Sequence, residues 1–126
     1  MKVELPLGDV VDKITILLIK TVKITDPSKL QNIQTELETL RAAWTEAGHT
    51  ALEDLSDWDG LREVNGQLWD VEDDLRDLER DKDFGPRFVE LARSVYKLND
   101  RRAALKRSIN VALGSRLVEE KSYAAY

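Results

Sequence analysis

The 126-residue chain has no cysteine and a single histidine, His49. That excludes disulfides, thiolate metal sites, iron–sulfur clusters and cysteine nucleophiles together. It also leaves too few ligands for a zinc site or a bundle-type di-iron centre, which needs two Glu-x-x-His motifs. No metal and no cofactor are expected. Consecutive acids such as Glu72-Asp73-Asp74 diverge around a helix by about 100° per residue and cannot converge on one ion. Long apolar runs are missing as well. The longest of them, Ile16 to Ile19, is closed by Lys20 and falls far short of the ~18 residues of a membrane span. The stretch Met1 to Gly8 carries Glu4 and lacks the basic-then-apolar form of a secretion signal. The expectation is an unprocessed cytoplasmic protein with no membrane partner.

Phosphate-binding glycine patterns are also absent, since Gly8 and Gly114 stand alone with neither the Walker nor the dinucleotide spacing. His49 lies in a polar connection and reads as a surface residue. With no complete catalytic constellation present, the balance leans away from an enzyme.

What the chain does have is charge, 34% of its residues, with a net value of -5. Residues 53–83 hold 13 acids against 4 bases, and residues 84–116 hold 8 bases against 2 acids. Two adjacent segments of opposite sign are each other's nearest partners. The basic series Arg93, Lys97, Arg101, Arg102, Lys106 and Arg107 is therefore read as hairpin pairing and solvation, not as a nucleic-acid surface, for which interleaved aromatics and a recognition motif are missing.

Apolar spacing predicts an all-α fold of four long helices at about residues 8–24, 27–47, 57–82 and 86–113, forming one elongated domain over 1–126 with a tail at 115–126. In the first, Val10, Val11, Ile14, Leu17, Leu18 and Thr21 make an inward stripe that Ile16 and Ile19 widen. So little polar face predicts cover on two sides. Gly8 or Asp9 is the expected N-cap. Asp26-Pro27 starts the second helix, whose Leu30, Ile33, Leu37, Leu40 and Trp44 alternate spacings of three and four. Gly48 ends it, and residues 46–56 form a connection with room for one helical turn. The third helix, from Asp57, repeats that alternation in Leu61, Val64, Leu68, Val71, Leu75 and Leu78, and the fourth in Phe88, Leu91, Val95, Leu98, Leu105 and Ile109. Short turns make each successive pair an antiparallel hairpin, with bundle or coiled-coil-like packing.

Arg102 falls on the seam of the fourth helix between Leu98 and Leu105, where an unpaired guanidinium is untenable. Pairing about the Phe84-Gly85 turn puts it level with Gln67, near Asn65 and Asp70, and puts Lys106 near Glu63. Two readings follow. The favoured one is an ion network that fixes register. The other is an anion site clamped by Arg102 and Lys106.

The stretches Gly8 to Lys20, Leu68 to Asp73, Glu90 to Tyr96, Asn99 to Ala103 and Glu119 to Tyr123 resemble, in order, an uncharacterised family of small all-helical bacterial and phage proteins. The resemblance implies one intracellular domain with no assigned activity. It nominates Asp12, Lys13, Lys20, Glu72, Asp73, Arg93, Asn99, Asp100, Arg102, Lys106 and Asn110 as polar positions of a shared ligand-binding site. Asn99 to Arg107 is also similar to the basic helical segment of the helical chorismate mutases, but the first helix supplies only Lys13 and Lys20 and no arginine, so that basic set is incomplete.

The preferred functional expectation is an interaction module that self-associates, as a dimer in the first instance, through its long heptad-patterned helices, with a protein partner as the wider class. The competing expectation is a small-molecule binder or enzyme using Arg102 and Lys106 against an anionic ligand.

Overall fold

The computed structural model describes residues 3–117; part of the tail, residues 118–126, lies outside them. Four helices carry about three quarters of this stretch: α1 (Leu7–Lys23), α2 (Pro27–Glu46), α3 (Trp58–Arg80) and α4 (Pro86–Ala112), with a single 3₁₀ turn, Leu52–Asp54, between α2 and α3. The bounds fall within two residues of those read from periodicity.

The run Ile14-Thr15-Ile16 is stiff at χ1 and costs a few tenths of a kcal/mol per residue in a helix. It is helical because α1 is buried against α2, α3 and α4 together, with Val11, Ile14, Thr15 and Leu17 fully enclosed. Cover on two sides was expected, and there are three. The N-cap differs from expectation: α1 begins one residue before Gly8, after Pro6, with no capping side chain of its own. Its first amides are satisfied from α4 and the residues just past it. Leu7 N–H donates to Ser115 Oγ at 3.2 Å, and Gly8 N–H donates to Asn110 Oδ1 at 2.6 Å. Groups that a helix start leaves unbonded are here bonded in trans.

Asp26 caps α2 as expected, accepting from Ser28 N–H at 2.9 Å, with Pro27 in the first turn. Asp57 precedes α3, but its side chain makes no cap bond. Gly48 and Gly114 both adopt positive φ just past their helices, a backbone that a Cβ would oppose.

The ion pairs Lys13–Glu36, Arg87–Asp74 and Arg101–Glu63 give the register. The helices run up, down, up, down, with α1–α2 and α3–α4 each antiparallel. α2 packs chiefly on α1 and buries only Ile33 and Trp44. At the lower end Leu52 plugs the core between Trp44 and Trp58, and Trp44 Nε1 donates to Thr50 O at 2.8 Å. His49 is half-buried, with its ring 4.5 Å from that of Trp44, so it is less of a free surface residue than its sequence setting implied.

The two hairpins differ in length. Lys23, at the end of α1, pairs with Asp70 at 3.3 Å, and α3 continues to Arg80. Ten further residues at 1.5 Å each carry the α3–α4 hairpin about 15 Å beyond the α1–α2 turn. Among the described residues no helix is long and apolar enough to cross a membrane.

Candidate functional site

The polar positions of the sequence meet where α1 lies along the lower half of α4. Asp12, buried on α1, accepts from Arg102 Nε at 2.8 Å and Nη2 at 2.5 Å, a two-point pairing of carboxylate and guanidinium. Asn65 of α3 donates through Nδ2 to Asp12 Oδ1 at 2.9 Å and to Thr15 Oγ1 at 2.8 Å. The Thr15 hydroxyl donates to the Asp12 carbonyl at 2.7 Å. Three helices thus contribute to one polar layer.

One turn lower on α4, Lys106 Nζ stands 3.0 Å from Asp9 Oδ1. That oxygen is buried without a well-aligned hydrogen bond, so the lysine charge is what offsets its desolvation. Another turn lower, Asn110 holds Gly8. Arg102, Lys106 and Asn110 are spaced by four and form one row of α4, matched against Asp12, Asp9 and Gly8 of α1. Approach is closest at Gly8, where a Cβ would drive into the Lys106 carbonyl. In this first turn of α1 the close contact with α4 requires glycine.

This geometry corrects the expected pairings. Arg102 is paired with Asp12 of α1. Asn65 joins the same layer, but Gln67 is exposed and Asp70 pairs with Lys23. Lys106 pairs with Asp9, and Glu63 is approached by Arg101 at 3.9 Å. A two-helix construction could not show this, because α1 enters the groove between α3 and α4 and supplies the nearer carboxylates.

Of the nominated residues, Asp12, Asn99, Arg102, Lys106 and Asn110 come together. Lys13 pairs with Glu36 at 3.3 Å, Lys20 sits half-buried farther along α1, and Glu72, Asp73 and Arg93 are exposed on the projecting hairpin. Asp9, Thr15 and Ser115 belong to the assembly and were not nominated. The signal for Asp9 was present: acids at 9 and 12 against bases at 102 and 106 match the steps of two antiparallel helix faces.

Among the described residues the layer pairs two carboxylates, Asp9 and Asp12, with two cations, Arg102 and Lys106. Beside it Asn99, Arg102, Ala103 and Lys106 line a notch of about 70 Å³, room for roughly two waters at ~30 Å³ each. No group of three or more His, Asp or Glu side chains converges on a common point among the described residues. A larger groove of about 740 Å³ lies on the other side of α4, along Phe84, Pro86, Val89, Arg93 and Lys97. No curated protein and no solved structure matches the chain. The family described as "Family of unknown function (DUF6165)" matches residues 1–126, and the chain belongs to it.

Proposed function

We propose that this protein is a self-associating helical interaction module, working as one domain in the cytoplasm, and that the projecting half of the α3–α4 hairpin is its docking arm. The observation that carries this reading is the change in burial along the hairpin. Leu61, Val64 and Leu68 are buried where α1 covers them. Beyond that level Val71, Leu75, Leu78, Phe88, Leu91 and Val95 keep the seam spacing and are only half-buried, while Phe84, Val89 and Tyr96 are exposed. Apolar residues at heptad spacing that two helices cannot enclose are the residues a further helix pair covers. Light scattering across a concentration series tests this. A dimer is expected, weakened by Val89→Asp; a monomer at every concentration would refute the reading.

The alternative, an anion site at Arg102 and Lys106, has less behind it. Both cations lie against carboxylates, which an incoming anion would have to displace. Thermal-shift titration with phosphorylated sugars, nucleotides and dicarboxylates should give no saturable stabilisation; a shift lost in Arg102→Met, in a variant that still folds, would revive it.

A further inference from the structure

Resting on that reading, we infer that the partner is a second copy bound back to back, with the groove at the start of α4 in each protomer seated on the acidic face of α3 in the other. At 100° per residue, Pro86, Glu90, Arg93 and Lys97 lie on the side of α4 opposite the row Arg102, Lys106 and Asn110 that α1 covers. On α3, Asp73 and Asp77 likewise lie away from Leu61, Asn65 and Leu68, the positions packed toward α1. α1 reaches this side of α3 through Lys23 on Asp70, one turn below Asp73.

The charges are complementary at matching heights. The pairs Arg87–Asp74 and Arg101–Glu63 set residues 84–97 of α4 level with the second half of α3. Residues 84–97 carry three bases and one acid, and residues 66–79 carry six acids and one base. Arg93 and Lys97 are exposed and make no ion pair among the described residues, while Asp73 and Asp77 are exposed and paired only within α3, with Arg76 and Arg80. A two-fold axis along the hairpin preserves height and exchanges α3 for α4, so it brings each basic groove onto the partner's acidic face and closes the assembly at two copies. Phe84, Pro86 and Val89 give the groove an apolar end to bury. An axis across the hairpin would instead set α3 on α3 and α4 on α4, like charge against like.

Charge-reversal complementation tests the pairing. Arg93→Glu/Lys97→Glu and Asp73→Lys/Asp77→Lys alter only exposed side chains, and circular dichroism should show both folded. By sedimentation velocity the wild type should be dimeric and loosen with added salt. Each variant alone should raise the dimer Kd by about tenfold or more, and an equimolar mixture of the two should restore the dimer. A wild-type dimer indifferent to either reversal, or a mixture that stays monomeric, overturns this pairing and leaves self-association standing. A wild type monomeric at all concentrations overturns both.

Discussion

The lower and upper halves of the α3–α4 hairpin share one heptad pattern and differ in what lies against it. Below, α1 fills the groove, and Leu61 and Val64 have no exposed surface. Above, the same alternation continues through Leu75 and Leu91 with only the opposite helix for cover, and no residue of α3 from Trp69 to Arg80 or of α4 from Pro86 to Tyr96 is buried. Periodicity therefore states which face of a helix is apolar, and the neighbour decides whether that face becomes core. The polar residues divide in the same way. Below, Asp12 and Arg102 are locked in a layer; above, Arg93 and Glu72 face solvent.

The comparison is broken most severely at the layer. Arg102→Met should cost about 3–5 kcal/mol in chemical denaturation, because it strands the Asp12 carboxylate, whose side chain is 7% exposed. Asp12→Leu should cost less, since Arg102 is 30% exposed and can turn to water. The double variant should recover much of the loss. Equal costs for the two single variants would mean that the layer is more open than its geometry indicates.

Truncating the seam sharpens the contrast in packing. Leu61→Ala should cost about 3 kcal/mol and Leu75→Ala about half as much, measured at a concentration low enough to avoid association. Two glycines offer a smaller contrast in backbone approach. Gly8→Ala should destabilise by ~1–3 kcal/mol through collision with the Lys106 carbonyl. Gly66→Ala, with nothing within 4 Å of the new methyl, should stabilise by up to ~1 kcal/mol from helix propensity alone.

The smallest effect is acidic and belongs to the lower end. The Arg116 guanidinium holds the Glu4 carboxyl below its ordinary value of 4.5. Glu53 is held below 4.5 first by a backbone hydrogen bond within its own residue and then by Arg41. A carboxyl depressed in the folded state contributes stability that is complete above the unfolded value and is lost as pH falls through the folded one. Stability should thus decline below about pH 4.5, and Glu4→Gln/Glu53→Gln should flatten that decline slightly. An unchanged acid limb in this variant would remove both groups from the account.

Most of the fold could be read from the chain. The heptad alternation of α2, α3 and α4, the cap at Asp26 and the stops at Gly48 and Gly114 are local signals, set by side-chain spacing and by which residues tolerate a given φ. The seam arginine was legible as something needing a partner. Its partner was not legible, because the choice between Asp70 and Asp12 depends on which groove α1 enters, and that is a matter of three-helix packing that no single periodicity encodes. The start of α1 was misplaced for the same reason. Capping rules inspect the residues beside a helix, and here the cap comes from Asn110 and Ser115, about a hundred positions away.

That trans cap, together with the Asp12–Arg102 pairing, orders events during synthesis. α1 leaves the ribosome before the helices that cover it, with its inward face nearly all apolar and a carboxylate at its centre, and α2 can shelter only one side of it. After α3, its remaining partners Arg102, Lys106, Asn110 and Ser115 are made about ninety residues or more later. α1 must wait for α4, so the bundle closes only once α4 has emerged, and a nascent chain halted in α3 would hold α1 half-covered and open to whatever binds apolar segments.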